Sequence, residues 1–314
     1  MTVPVRLSSA TTWDELLSVC KESYDRCIDT VTHAETISGI SANTRMHCLK
    51  FDGNQQPMVE ALAECLYEHV IAYCISARNR PSELTVQDAA RLTKEARKLF
   101  IHPPATPDDP DQTGEAGEML LYLLMEAVLR APQVVAKMEL KTSSSMEIHG
   151  SDGIHMAWSA ADSIVDVFFG EAKVYKDVGA AMTAALNSVD AFHADDVLCH
   201  ELKMATKYFK HAEEPVKAAV SELLRNGKPS SDVRVNHALL IGYDWAGFNG
   251  LTASSVKELT SEFKTRYRRD APRLHGLMQS RFSKFNRKTL RFEIFFLPFS
   301  SVQGFRDAFN RALG

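Results

Sequence analysis

The chain has 314 residues, of which 45% are apolar and 24% charged, and its formal net charge at pH 7 is −4. These values are typical of a soluble globular protein with one large domain or two. The negative charge argues against a protein that coats nucleic acid through its overall charge, although a local basic surface remains compatible with it. No run of about 20 apolar residues is present, and the first residues lack the pattern of a signal peptide. The six cysteines have no C-x-x-C spacing. We therefore expect a cytosolic protein with reduced thiols and no membrane contact.

The first part of the chain, residues 1–101, is predicted to be mostly helical. Apolar residues recur at helical spacing after Pro57 and again from Val86 to Leu99. One strand is expected before Pro57, in M-H-C-L-K-F-D-G. Residues 102–113 then contain four prolines and three aspartates, a composition that indicates a linker or a long exposed loop. The sequence thus predicts a boundary there, with a second domain over residues 114–314.

The second part alternates between helical and strand patterns. The expected elements are a helix over 114–130, strands near 134–141, 154–158 and 164–169, helices up to about 225, a strand over 233–244, a helix over 255–269, a strand over 290–298 and a final helix over 302–313. This order predicts an α/β fold with a mixed sheet flanked by helices, preceded by the mostly helical N-terminal region.

The strongest chemical signal is Asp152 on a turn, followed by an apolar strand that leads into Glu171-Ala172-Lys173. If the strand continues through Lys173, its period of two places Glu171 and Lys173 on one face. Asp152 and Glu171 are then candidate ligands for Mg²⁺ or Mn²⁺, which prefer oxygen donors. Lys173 is positioned to hold an attacking water and to offset charge on a phosphate. The alternative is structural: Asp152 in an ordinary turn, and Glu171 and Lys173 as an ion pair at a strand end.

Two further groups of charged residues complete the candidate site. Glu115 and Glu118 lie in the first turns of the helix at 114–130, where either is a partner for the helix dipole or a third carboxylate of the site. Residues 264–291 contain ten lysines and arginines but only one acid. This segment is either a solvated face or a surface that follows a phosphate backbone. The candidate DNA contacts within it are Arg266, Arg268, Arg269, Lys284, Arg287 and Lys288.

The order of a G-E-A-G-E helix, D-G-I-H and F-F-G-E-A-K-V-Y resembles the PD-(D/E)XK restriction-endonuclease-like superfamily. More narrowly, it is similar to the HamA family of nuclease subunits in the Hachiman antiphage defence system. The resemblance covers about residues 114–314. It implies a Mg²⁺-dependent DNA nuclease in a hetero-complex with a HamB-like superfamily-two helicase, held inactive until infection is sensed.

The resemblance also assigns roles to individual positions. Asp152 and Glu171 match the metal ligands, Lys173 matches the catalytic lysine, and Glu115 or Glu118 matches the helix glutamate. One departure is Ser151, which stands where the superfamily motif has proline.

Two other functions remain open from the sequence. The chain could be a non-catalytic subunit with a degenerate nuclease fold that only binds a helicase or DNA. It could also be a restriction or repair nuclease that acts alone. The intact Asp, Glu and Lys favour a catalyst, because a degenerate site is expected to have lost at least one of them.

Overall fold

The computed structural model describes residues 13–81, 83–100, 114–140, 150–194, 197–211, 214–224 and 230–314. Within these residues the chain forms a six-stranded mixed sheet with eleven flanking helices. The predicted α/β class, with helices in the N-terminal region, is confirmed. In the described part of the chain, no helix combines the length and the apolar character needed to cross a bilayer.

The strands are β1 Ile28–Val31, β2 Ser41–Leu49, β3 Gly153–Ser159, β4 Ile164–Tyr175, β5 Val233–Asp244 and β6 Arg291–Phe299. Their order in the sheet is β1-β2-β6-β5-β4-β3. β1 and β2 are antiparallel, β2 and β6 are parallel, and β3 and β4 form an antiparallel hairpin. The sheet is therefore mixed, as the alternation of strand and helix patterns predicts.

The helices are α1 Lys21–Cys27, α2 Val59–Glu68, α3 Val70–Cys74, α4 Val86–Lys98, α5 Glu115–Leu129, α6 Lys137–Leu140, α7 Val178–Phe192, α8 Val197–Lys207, α9 Glu214–Leu223, α10 Val256–Lys284 and α11 Val302–Leu313. The sequence explains where α4 begins. Thr85 caps its first turn in a capping box with Asp88, which satisfies backbone N–H groups that have no partner within the helix.

The chain divides into two compact units that interleave along the sequence. The first contains Met1–Cys20, Glu68–Gly170 and Ala191–Asn236, and the second contains Lys21–Tyr67, Glu171–Asp190 and His237–Gly314. β3, most of β4, α8 and α9 contribute to the apolar core of the first unit. β2, β6, α7 and α10 contribute to that of the second. The predicted linker at residues 102–113 lies outside the described residues, so a boundary at that point stays a prediction.

The strand predicted at residues 134–141 is wrong for residues 134–140, the part of it that the structure describes. Only Gln133 forms a bridge with His155, and the chain then turns into the four-residue helix α6. The reason is Lys137, whose ammonium group is buried and donates to the Ser151 carbonyl oxygen over 2.5 Å. A buried charge needs polar partners, and the helical turn places the Lys137 ammonium group beside Ser151 and Glu201.

The helix predicted to end at residue 269 continues to Lys284, past Pro272. A proline inside a helix removes one backbone hydrogen bond and costs about 3 kcal/mol. Beyond the proline, Leu274, Met278 and Phe282 lie at helical spacing and are buried in the core of the second unit. Burial of this apolar stripe offsets the cost of the proline, so the helix does not stop there.

Candidate active site

Two charged side chains near the end of β4 lie on the same face of the strand. Glu171 and Lys173 are separated by one residue, and side chains alternate between the two faces of a strand. The Lys173 Nζ is 2.6 Å from the Glu171 Oε1, with 21% of the lysine side chain and 11% of the glutamate side chain exposed. The predicted continuation of the strand through Lys173 is confirmed. A carboxylate and an ammonium group are thus held together in a largely buried position.

Asp152 lies in the turn that leads into β3. Its backbone N–H donates to the carbonyl oxygen of Gly170 over 2.8 Å, and the strand register pairs Gly153 with Gly170. Gly170 immediately precedes Glu171 in β4. The backbone hydrogen bond therefore fixes the Asp152 turn at the position in β4 where the Glu-Ala-Lys sequence begins.

Helix α5 packs closely against the backbone of β4 at Gly170. A Cβ atom at that position would be 3.0 Å from the Leu121 Cδ2 and 3.4 Å from the Met125 Sδ. Glu118 precedes these two residues by three and seven positions, so it lies on the same face of the helix. The absence of a side chain at Gly170 therefore allows the helix face that carries Glu118 to approach the strand.

A buried tyrosine, Tyr73, forms a hydrogen bond with Glu118. The Tyr73 hydroxyl donates to the Glu118 Oε2 over 3.1 Å, and only 2% of this tyrosine is exposed. Burial raises the pKa of Tyr73 well above its usual value, and the nearby charges of Glu118 and Asp152 raise it further. Both carboxylates therefore lie within electrostatic reach of one phenol. Glu115 is also buried, one helical turn earlier.

A second buried network precedes Asp152 in the chain. The Lys137 ammonium group forms an ion pair with Glu201 and donates to the Ser151 carbonyl oxygen over 2.5 Å. The Ser151 hydroxyl donates to the Glu201 Oε2 over 2.7 Å. These contacts fix the residue before Asp152 from two sides. The sequence does not predict these contacts, because residues 137, 151 and 201 belong to separate segments. The one signal is the lysine within the apolar run V-V-A-K-M, where a regular buried strand would have an apolar residue.

A sequence profile of the HamA family matches residues 25–313 of this chain. The chain belongs to the HamA family. It is accordingly an antiphage defence protein of the Hachiman system. The comparison with curated proteins found no match. The family match extends through α2 and α3, beyond the part of the chain on which the sequence resemblance rested.

The side chains of this HamA chain offer oxygen donors of the kind that Mg²⁺ and Mn²⁺ accept. Asp152, Glu171 and Glu118 supply carboxylates, and such cations commonly take one or two protein carboxylates together with water and phosphate oxygens. Across the described residues, no three carboxylate, histidine or cysteine side chains converge into a ready-made metal cluster. Two carboxylates, with water and phosphate oxygens as the remaining ligands, are a donor set that fits such a cation.

The histidine next to the site has a structural role in the HamA fold. His155 is 1% exposed, and its Nδ1 donates to the Ala131 carbonyl oxygen over 2.8 Å. Burial lowers the pKa of His155 to about 3, so its ring is neutral at physiological pH. The other histidine of this stretch, His149, lies outside the described residues.

The basic segment of the HamA chain divides into cations that already bind protein groups and cations at the surface. Arg266 donates to the Asn249 carbonyl oxygen over 3.0 Å and pairs with Glu262, and Arg268 donates to the Thr32 carbonyl oxygen over 2.9 Å. Arg287 lies 3.3 Å from the Asp190 carboxylate. The side chains of the other three candidates are exposed: Arg269, Lys284 and Lys288. Three of the six candidate DNA contacts therefore already bind protein groups.

Proposed function

We propose that this HamA chain is a metal-dependent DNA nuclease, the effector subunit of its defence complex. The observation that carries the proposal is the Glu171–Lys173 pair, at 2.6 Å on one face of β4. The Asp152 turn is bonded to the residue immediately before this pair. Hydrolysis of a phosphodiester bond requires carboxylates for a divalent cation and a positive group beside the attacking water, and these are the side chains present.

Each side chain has a defined task in this proposal. Asp152 and Glu171 hold the cation. Glu118, on the helix face that meets β4 at Gly170, is the helix glutamate assigned to their surroundings. When bound, Mg²⁺ neutralises charge on the scissile phosphate and lowers the pKa of the attacking water. Lys173 orients that water through its ammonium group and offsets the negative charge that develops on the phosphate.

The proposal extends to the partners of the chain. We infer a helicase subunit of the HamB type that restrains the nuclease, together with a cytosolic location, from the family to which the chain belongs. DNA contact is assigned to the exposed cations Arg269, Lys284 and Lys288. Phosphate contacts release counterions, so removal of these charges should weaken DNA binding and reduce its salt dependence.

A cleavage assay with site variants tests the proposal. Supercoiled plasmid is incubated with the purified chain, alone and with its helicase partner, in Mg²⁺, Mn²⁺ or EDTA. Wild-type protein is expected to cut in the presence of either metal and to stop in EDTA. Asp152→Asn, Glu171→Gln and Lys173→Met should each reduce cleavage at least about 100-fold, because each removes charge stabilisation at the reacting phosphate.

The matched control is Lys176→Met, which removes an exposed lysine three residues beyond Lys173 and should leave cleavage unchanged. Circular dichroism and thermal melting of every variant separate loss of activity from loss of folding. Full cleavage by a folded Asp152, Glu171 or Lys173 variant would contradict the assignment of that residue.

One observation favours the non-catalytic alternative. Glu171 and Lys173 already neutralise each other at 2.6 Å, as a purely structural ion pair would. In that case the chain acts only as a scaffold that binds helicase or DNA, and no condition of the plasmid assay yields cleavage. A stand-alone nuclease, the remaining alternative, would cut equally well without the helicase and give discrete products.

A further inference from the structure

A polar groove lies between α7 and α10, within the second unit. Its volume is about 350 Å³, near the lower end of the range for small-molecule sites, about 300–1,000 Å³. Each helix contributes two polar residues four positions apart: Thr183 and Asn187 from α7, and Ser280 and Lys284 from α10. Side chains with this spacing lie on one face of a helix. Two polar helix faces therefore line one shared space.

One wall of the groove is Arg281, which is fixed by three hydrogen bonds. It donates to the Thr183 hydroxyl and to the carbonyl oxygens of Gly179 and Leu277, over 2.9 Å in each case. A Cβ atom at Gly179 would lie 2.8 Å from the Arg281 Nη2, so the glycine allows the guanidinium to approach α7 closely. All three acceptors are uncharged, and arginine keeps its proton at physiological pH. The groove therefore contains a positive charge in a constant position.

Three other polar side chains in the groove are exposed and available to a ligand. Asn187, Ser280 and Lys284 form no side-chain hydrogen bond or ion pair with the described part of the chain. They present an amide, a hydroxyl and an ammonium group, and the ammonium group can only donate. Phosphate oxygens are acceptors, and hydrogen bonds from charged donors to them are the strong ones. The groove therefore matches an anion with several acceptor oxygens.

The carboxylates around the groove do not cancel its positive charge. Asp190 lines the groove, but its carboxylate already lies 3.3 Å from the Arg287 guanidinium. Asp177 accepts a backbone N–H over 2.6 Å at the start of α7. The basic side chains, which are Arg281, Lys284 and Arg287, outnumber these two acids. The local charge of this group is therefore positive, although the whole chain is negative.

The floor of the groove is apolar. Leu186 and Phe285 also line it, and each is 5% exposed. Ligand sites commonly combine an apolar lining with a few polar groups that fix the orientation of the ligand. A nucleotide fits such a lining, because its sugar contacts the apolar surface while its phosphate meets the donors. A free inorganic anion would leave the floor uncovered.

We propose that this groove binds a nucleotide, which is either one unit of a DNA strand or a free nucleoside phosphate. Lys284 binds the phosphate, Arg281 adds a fixed positive charge beside it, and the side chains of Asn187 and Ser280 donate to phosphate or sugar oxygens. The proposal shares Lys284 with the DNA contacts proposed above and otherwise goes beyond the proposed function. Binding needs no metal and none of the carboxylates assigned to cleavage.

The test measures binding to the full-length chain in EDTA, so that metal-dependent cleavage does not interfere. One arm follows the fluorescence anisotropy of a labelled single-stranded oligothymidylate, and it reports on a DNA strand. The other arm uses calorimetry with thymidine monophosphate and reports on a free nucleotide. Thymidine, which lacks the phosphate, is the control ligand and should bind more weakly than its monophosphate.

Variants at uncharged positions distinguish a specific groove from a surface that is only basic. Asn187→Ala removes one neutral hydrogen-bonding group and should weaken binding about 5-fold without changing its salt dependence. Ser280→Trp fills the groove with an indole and should weaken binding more strongly. Lys284→Met should weaken oligothymidylate binding and reduce the slope of log affinity against log salt by about 0.7. The matched control is Lys257→Met, which removes an exposed lysine of α10 outside the groove and should leave both affinities unchanged.

The two arms identify the source of the nucleotide. Weaker binding of oligothymidylate alone in the groove variants assigns the groove to a DNA strand, and weaker binding of the monophosphate shows that a free nucleotide suffices. The inference is overturned if Asn187→Ala and Ser280→Trp bind both probes within twofold of Lys257→Met, even when Lys284→Met binds less. It is also overturned if wild type binds neither probe, or binds thymidine as tightly as its monophosphate. Thermal melting establishes that each variant is folded. Plasmid cleavage tests the nuclease proposal separately, so either proposal can fail while the other stands.

Discussion

Lys137 and Glu201 form an ion pair in the interior of the first unit, where 5% and 1% of their side chains are exposed. Removal of one partner leaves the other charge buried without compensation, which typically costs 3–5 kcal/mol. Glu201→Ala should therefore lower the free energy of unfolding by about that amount. Chemical denaturation followed by circular dichroism measures the change.

An exposed ion pair provides the comparison. Lys21 and Asp25 lie 2.5 Å apart but are 64% and 49% exposed, so Lys21→Met should have a far smaller effect. The double variant Lys137→Met/Glu201→Leu should regain much of the lost stability, because it removes both charges together. Equal sensitivity of the buried and the exposed pair would contradict this account of Lys137 and Glu201.

At the scale of single residues, the sequence predicts the Glu171–Lys173 pair on β4, but not the buried hydrogen bonds formed by Tyr73 and Lys137. Glu171 and Lys173 share a face because alternation in a strand follows directly from spacing. The contacts of Tyr73 and Lys137 depend on which segments meet in the fold, and no spacing rule encodes that. Helical spacing identifies Tyr73 only as one member of an apolar stripe. The pattern registers the apolar ring of a tyrosine and gives no information about the partner of its hydroxyl.

At the scale of elements, α5 packs closely on β4 because the strand has a glycine, Gly170, at the point of contact. Gly170→Ala would place a Cβ atom 3.0 Å from the Leu121 Cδ2, and overpacking of this kind costs typically 1–3 kcal/mol. We expect Gly170→Ala to lower the free energy of unfolding by up to that order and to reduce cleavage, because Leu121 must give way on the helix face that also carries Glu118.

Gly276 in α10 is the matched control for this prediction. An added Cβ at Gly276 would meet no heavy atom within 4 Å, so Gly276→Ala should stabilise the protein by up to about 1 kcal/mol through helix propensity. A Gly170→Ala/Leu121→Ala variant should restore the position of α5 in part by making room for the new methyl group. Unaltered stability and cleavage in Gly170→Ala would contradict the close approach.

Elements with a clear apolar pattern were predicted well, and those shaped by a local conflict were not. β4, β5 and α11 follow their sequence patterns closely, because burial of their apolar residues agrees with local preference. The segment at 134–141 has a strand-like pattern, but its described part ends in a short helix whose buried Lys137 bonds to Ser151. α10 contains Pro272, whose local cost is outweighed by core burial on both sides of it.

For the whole molecule, the family membership and the proposed nuclease activity rest on different observations. The HamA match covers residues 25–313 and establishes the defence system. The nuclease proposal depends on a few side chains on α5, β4 and the Asp152 turn. Sequence order alone suggested that Asp152, Glu171 and Lys173 act together. Helical spacing places both Glu115 and Glu118 in the first turns of α5, so the sequence leaves the choice between them open. The proposal names Glu118 because it lies on the helix face that packs against Gly170.

The central claim is that Asp152 and Glu171 bind a divalent cation. Anomalous diffraction from crystals of the chain equilibrated with Mn²⁺ tests it most directly, because the scattering identifies the metal and its position. We predict an anomalous peak bonded to carboxylate oxygens of Asp152 and Glu171, which is lost in Asp152→Asn. A map at saturating Mn²⁺ with no peak at these carboxylates, and with Lys173 still paired to Glu171, would contradict it.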